Sequence, residues 1–194
     1  MGAGPLAGPV VAAACILDHN SIGKYRTKNK WYFRVRDSKT TTEEEREMLR
    51  EEILKHTIAY GIGEVWQEEI DVLNIHHASL RAMRLAVEDL IGKTGTENAK
   101  AILFVDGRFP IPGIKATSWT LEQKSVVGGD ALILSISAAS IIAKTHRDAI
   151  MRKLSEEFPE YGFARHKGYG TKEHNNAIRK FGITKIHRKS FIKV

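Results

Sequence analysis

Gly128-Gly129-Asp130-Ala131-Leu132-Ile133-Leu134-Ser135-Ile136-Ser137-Ala138-Ala139-Ser140-Ile141-Ile142-Ala143-Lys144 is a long apolar run that opens on two glycines and a carboxylate. Ile133, Ile136, Ser140 and Ala143 recur at spacings of three and four, the period of one helix face. Ala138, Ala139 and Ser140 are small and would let that helix approach a neighbour closely. The glycine pair suits the turn before it, which puts Asp130 in the first helical turn, near the positive end of the macrodipole. An aspartate there serves equally well as a cap on a buried helix, so the run alone leaves its role open.

Around this run stand 194 residues, 42% of them hydrophobic, enough for the core of a single domain spanning 1–194 and too many for global disorder. Thirty Lys and Arg against 23 Asp and Glu leave a net charge of +7, which favours an anionic partner such as nucleic acid. The single cysteine, Cys15, excludes an internal disulfide framework and a cysteine-based zinc cluster. No apolar stretch approaches the roughly 18 residues of a membrane span. Nor does a basic region precede an apolar run at the N-terminus, as it would in a signal peptide. A cytoplasmic protein with no membrane partner is expected, and nothing demands more than a monomer.

At the N-terminus, Gly2-x-Gly4-x-x-Ala7 matches a dinucleotide fingerprint in form only. It lacks a preceding strand, and Pro5 and Pro9 interrupt it. Val10 to Leu17 reads as a buried strand. Residues 18–36 interleave Lys24, Arg26, Lys28, Lys30, Arg34 and Arg36 with Tyr25, Trp31, Tyr32 and Phe33. That pattern suits either contact with a nucleic-acid backbone or an exposed hairpin with its aromatics turned inward. Thr42 with Glu45 predicts a capping box on a helix running to about Lys55. Thr57 to Trp66 reads as a strand with Ile58, Tyr60 and Ile62 on one face. Residues 68–91 read as a helix with Leu80, Met83, Val87 and Leu90 as its apolar stripe. His76-His77 has no partners at metal-ligand spacing.

Ala101 to Gly107 reads as a short strand ending in Asp106-Gly107, where functional groups collect in sheets flanked by helices. An Asp-Gly pair is also an ordinary turn former. Two short strand-like pieces lead from there to Asp130, and the long helix continues to about Glu157 with Arg147 and Asp148 on its surface. In Arg165-His166-Lys167-Gly168-Tyr169-Gly170-Thr171 the glycines allow close backbone approach to a ligand, with the Tyr169 ring beside it. A helix from Thr171 to Phe181 follows.

Taken together, these motifs resemble the ribonuclease HII family over nearly the whole chain. The resemblance rests on Gly-Pro-Leu-Ala-Gly-Pro-Val-Val at 4, Asp-Ser-Lys at 37, Ile-Asp-Val-Leu-Asn-Ile at 70 and Val-Asp-Gly at 105. Gly-Asp-Ala at 129, Ser-Ala-Ala-Ser-Ile-Ile-Ala-Lys at 137, Arg-Asp at 147, His-Lys-Gly-Tyr-Gly-Thr at 166 and His-Arg-Lys-Ser-Phe at 187 complete it. The resemblance implies an α/β, ribonuclease H-like mixed sheet flanked by helices, with a small helical C-terminal part. It implies an endonuclease that cuts RNA in RNA–DNA hybrids, or a DNA duplex with embedded ribonucleotides, leaving 3′-hydroxyl and 5′-phosphate ends. Four carboxylates would hold two divalent ions, Mn²⁺ or Mg²⁺; Asp106 and Asp130 match two of those carboxylates and Tyr169 the tyrosine at the ribonucleotide–DNA junction. Gly2, Ala3, Gly4, Ser38, Lys39, Lys144, Lys167, Arg188 and Ser190 match substrate-contact positions. Lys144 can instead pair with Asp148 at i+4, a pair that on an exposed surface contributes about 0.3 to 0.5 kcal/mol.

The chain departs from the family pattern at two places. The family's Gly-Arg-Gly is Gly2-Ala3-Gly4 here, and the Asp-Glu pair that precedes it by one residue would fall before Met1. The register leads to the expectation of an upstream start, with Asp-Glu and the first half of a strand preceding Met1. An alternative expectation is a protein that binds hybrids without cutting them. The segment 18–36 is also longer than is usual in the family.

Overall fold

The computed structural model describes residues 1–21, 31–35, 42–115 and 118–192. In chain order the elements are β1 (Val10–Leu17), α1 (Trp31–Val35), α2 (Glu43–Lys55), β2 (Thr57–Val65) and α3 (Gln67–Thr94). They continue as β3 (Ala99–Asp106), β4 (Trp119–Val126), α4 (Gly129–Leu132), α5 (Leu134–Glu157), α6 (Phe163–His166) and α7 (Lys172–Phe181). β1 pairs antiparallel with β2, from Val10 opposite Val65 to Leu17 opposite Thr57. β3 pairs parallel with β4, Ala99 opposite Trp119 and Asp106 opposite Val126.

The β1–β2 pair is covered on both faces, and the period of two sorts its side chains. Val10 and Ala12 with Val65 meet Ala78, Ala82 and Ala86 of α3. Ala13, Cys15, Tyr60 and Ile62 turn the other way, onto Leu49, Ile53, Ala138 and Ile142 of α2 and α5. The α3 face depends on small residues. A Cβ at Gly61 or Gly63 would collide with the Ala86 or Ala82 carbonyl, so helix and sheet touch backbone to backbone. The Tyr60 and Ile62 face expected from sequence is real, but Ile58 is 65% exposed and the tighter packing is on the glycine face.

Several elements differ from expectation for local reasons. The described part of 18–36 contains a short helix with Trp31 and Val35 buried, and residues 22–30 lie outside the described residues. One strand, β4, stands where two were expected. α3 breaks at Asn74 (φ 65°, ψ 165°), whose side chain then accepts from the amides of His76 and His77 as a new N-cap. Arg147 and Asp148 are not on the surface; each is 1% exposed. The capping box is present, Thr42 accepting from the Glu45 amide and Glu45 from the Thr42 amide.

β1 and β3 each have one neighbour strand among the described residues, and their other edges look onto a groove of about 710 Å³. Its floor includes Val87 and Leu90 of α3, and its roof Ile136, Ala139 and Ala143 of α5. The mixed α/β character is as expected, with the two strand pairs separated by this groove. The Cys15 thiol lies on its wall, pushed up to about 12 by burial, and is therefore unreactive.

The helical C-terminal part packs Tyr161, Phe163, Ala177 and Ile186 against Ala7 and Met151. Inside it His187 is 1% exposed and its pKa falls to about 4, through burial and then the neighbouring His174.

Two stability predictions follow from this packing. Gly63→Ala should cost about 2 to 3 kcal/mol in urea unfolding, while Gly92→Ala, with open space around it, should cost nothing. Above about pH 6.5 His187 is neutral in both states and contributes no pH dependence. Between 6.5 and about 4 the unfolded chain takes up its proton first, so stability should fall by about 3 kcal/mol as pH drops. Thermal melts of the chain and of H187Q across that window would show the difference in slope.

Candidate metal and nucleic-acid site

β3 and β4 run parallel, so their carboxyl ends finish together, tied by the Gly107 amide donating to the Val126 carbonyl at 2.9 Å. Asp106 ends β3 with its side chain exposed, and its Oδ1 accepts from the Gly129 amide at 3.0 Å. Gly128 takes the left-handed conformation (φ 67°) to begin α4, and a Cβ at Gly129 would strike Ile136. The double glycine therefore brings the helix start onto Asp106, and Asp130 is the next residue. Its backbone carbonyl is held by the Ser137 hydroxyl at 2.6 Å. Asp106 thus contacts the residue that precedes Asp130, and carboxylate oxygens are the donor type that a hard divalent cation takes. Among the described residues no cluster of three or more His, Cys, Asp or Glu side chains is poised to hold a metal.

The Gly2–Pro9 loop lies beside them. Met1 is hydrogen-bonded in both directions to Val11, and its amino group is near enough to Asp106 to feel that charge. Burial, then the Arg147 charge, lower the amine to about 6, with Asp106 opposing. Two buried arginines hold the loop from beneath. Arg188 donates to the carbonyls of Gly2 (2.8 Å), Ala3 (3.1 Å) and Gly8 (2.8 and 2.9 Å). Arg147 donates to Pro9 (2.9 Å), Ala7 (3.1 Å) and Lys167 (2.9 Å). In a trans peptide the N–H points opposite the carbonyl, so drawing the Gly2 and Ala3 carbonyls inward turns the Ala3 and Gly4 amides outward. Gly2 has a positive φ of 85°, and a side chain there would meet Arg147.

Tyr169 overhangs this loop. Its ring edge lies 3.8 Å from where a side chain at Gly4 would begin, and 43% of the residue is exposed. The Leu6 amide donates to the Gly168 carbonyl at 2.8 Å, which ties the two loops together.

The remaining residues expected at the site divide into two groups. Arg188 is fully buried and spent on carbonyls, so it shapes the Gly2–Gly4 loop and offers no guanidinium to a phosphate. Lys167 is 7% exposed, and its Nζ is held by Glu43 (3.0 Å) and the Ala164 carbonyl (2.6 Å). Lys144 pairs with Asp148, and since Asp148 is buried this is no exposed surface pair. Burial, opposed by Asp148, lowers the Lys144 pKa. Ser190 is exposed but bound to Asp71, which also accepts from the Lys189 and Ser190 amides at 3.0 Å each. Ser38 and Lys39 lie outside the described residues. The sequence reading missed Arg147 and Asp71, although Arg-Asp at 147 and Ile-Asp-Val at 70 were among the stretches carrying the resemblance.

A family-wide sequence profile described as Ribonuclease HII matches residues 1–194. The chain belongs to the ribonuclease HII family. Its members are endonucleases that cut RNA in RNA–DNA hybrids. The ribonuclease HII of Acetivibrio thermocellus is 46% identical over 192 residues, covering 99% of this chain, and the chain spans 67% of that relative's length. Among solved structures, the ribonuclease H2 of Pyrococcus horikoshii superposes with a TM-score of 0.74 at 25% identity, covering 98% of this chain and 90% of that one. A Bst ribonuclease HIII solved in complex with Mn²⁺ shares the fold, with a TM-score of 0.67 at 16% identity, covering 94% of this chain and 60% of that one. No helix among the described residues is long and apolar enough to cross a membrane.

Arg188's buried position separates scaffold from phosphate contact within this ribonuclease HII fold. Arg188→Gln should destabilise the fold by about 3 kcal/mol. It should leave the slope of log affinity for an RNA–DNA hybrid against log salt unchanged, where loss of a phosphate contact would lower that slope by about 1.

Proposed function

We propose that this chain recognises a ribonucleotide followed by DNA in a duplex and cuts the phosphodiester there, working as a cytoplasmic monomer with Mn²⁺ or Mg²⁺. The observation that carries the reading is continuity: Tyr169 lies over Gly4, Gly2 adjoins Met1, Met1 and Asp106 line one groove, and Asp106 holds the amide next to Asp130. The outward Ala3 and Gly4 amides would donate to a ribose 2′-hydroxyl, the group that distinguishes RNA from DNA. Both are backbone donors, so an alanine in place of the family's arginine leaves them intact. The Tyr169 ring would lie against the adjoining deoxyribose. Asp106 and Asp130 would hold the metal, and Lys144 adds positive charge nearby.

Bound there, a divalent ion supplies the charge that activates water and stabilises the leaving oxygen of the phosphodiester. Asp106 is pre-positioned for this by the Gly129 amide, which orients one oxygen and leaves the other for a cation. The groove between β1 and β3 is largely apolar and reaches from both strands to Asp106, a lining that suits an extended strand. A strand carrying Asp-Glu into Met1 would deliver two further carboxylates to that point.

Cleavage of a duplex with one embedded ribonucleotide, in Mn²⁺ or Mg²⁺, tests the reading on two polypeptides: residues 1–194, and the same chain preceded by a strand ending in Asp-Glu. The extended form should cut at the ribonucleotide to leave 3′-hydroxyl and 5′-phosphate ends, at roughly 10³ times the rate of the shorter one. Asp106→Asn in the extended form should abolish cutting. Binding without cleavage by both forms would make this a hybrid-binding protein.

A further inference from the structure

The tyrosine loop is held from behind by three histidines that no step above uses. We propose that His187 and His174 are positioning residues: a relay of fixed tautomers running from the Thr184 amide to the Tyr169 carbonyl, setting the backbone from which Tyr169 meets the ribose. The proposal rests on the assignment of Tyr169 to ribonucleotide recognition.

The hydrogen bonds leave one consistent proton arrangement. The Thr184 backbone N–H lies 2.9 Å from His187 Nδ1, and an amide can only donate, so Nδ1 is the acceptor. The neutral His187 ring therefore carries its proton on Nε2. That proton points at His174 Nε2, 3.0 Å away, which must accept it. His174 then holds its own proton on Nδ1 and donates it to the Tyr169 carbonyl at 3.0 Å. The two rings are opposite tautomers, and each fixes the other.

The third ring works in the same way on the preceding residue. The Gly168 amide donates to His166 Nδ1 at 3.2 Å, so His166 Nε2 carries the proton and donates to the Tyr161 carbonyl at 2.6 Å. His166 stacks on His174 with ring centroids 4.7 Å apart. Tyr169 is thus held at both ends, its amide by the His166 carbonyl (2.9 Å) and its carbonyl by His174 and the Thr171 amide (2.8 Å). His174 and His187 are 0% and 1% exposed. The phenyl ring of Phe163 lies 5.3 Å from His174 and the ring of Tyr161 5.2 Å from His187, an apolar wall that keeps both imidazoles neutral. Placing such orienting groups behind a contact residue is how a rigid recognition geometry is maintained.

Imidazole ¹⁵N spectra, amide exchange and binding together decide the matter. The spectra should show His187 protonated on Nε2 and His174 on Nδ1; the same tautomer at both would overturn the relay. His174→Phe removes the donor to Tyr169, whereas His174→Asn keeps an N–H at nearly the Nδ1 position. Affinity would be compared for a DNA duplex with one ribonucleotide and for the all-DNA duplex. His174→Phe should lose about tenfold of the preference and His174→Asn should recover most of it. Equal preference in the chain and in His174→Phe would overturn the positioning role. If the unsubstituted chain shows no preference, the Tyr169 assignment fails instead. The relay is then judged by amide exchange at Tyr169 and Gly170, faster in His174→Phe if it holds them and unchanged if it does not. Should His174→Phe not fold, His187→Leu against His187→Gln, which keeps an N–H toward His174, gives the same contrast.

Discussion

Two guanidinium groups with backbone carbonyls as their partners organise this molecule. Arg147 and Arg188 are 1% and 0% exposed, and neither lies within ion-pair distance of a carboxylate among the described residues. Burying a cation in this way costs several kcal/mol unless its donors are met. Here the carbonyls of Gly2, Ala3, Ala7, Gly8, Pro9 and Lys167 meet them. The cost of burial is visible in Arg188, whose pKa is lowered to about 10 by desolvation and then by Arg147. The same contacts close the N-terminal loop onto the C-terminal part, so chain segments some 180 residues apart become one surface.

That surface has a division of labour. Buried cations shape backbone, while the Tyr169 ring and the Asp106 carboxylate stay exposed. Asp71 does for the tail what the arginines do for the loop, capping the Lys189 and Ser190 amides from the kinked end of α3. The kink at Asn74 gives that stretch of α3 its own direction, apart from the remainder packed on the sheet. Such preorganisation holds the Gly2–Gly4 backbone in one conformation.

Most of the fold was legible from local patterns. The strand at Val10–Leu17 and the Thr42 capping box each follow from signals within a few residues. The single helix read from Asp130 onward is instead interrupted at Ile133, whose extended backbone leaves Asp130 in the short α4 and starts α5 at Leu134. Asp106 and Asp130 were also legible, one at a strand end and one at a helix start. The roles of Arg147, Arg188 and Lys167 were not. A positive residue in sequence reads as exposed or as phosphate-binding, and nothing local reveals that the two arginines reach carbonyls more than a hundred positions away or that Lys167 is held by Glu43. The Ala78, Ala82 and Ala86 stripe was overlooked for a related reason: it matters because it meets Gly61 and Gly63, and neither half is a strong signal alone.

The amino-acid sequence by itself determined the family, most of the elements and the placing of Asp106 at a strand end and Asp130 at a helix start, because repeat period, capping chemistry and ordered motifs are local and additive. Only the tertiary structure decided which cations are scaffold, that β1 and β3 face each other across an apolar groove, and that three histidines stand behind Tyr169. Those depend on burial and on long-range hydrogen-bond partners, which exist only once the chain has closed on itself.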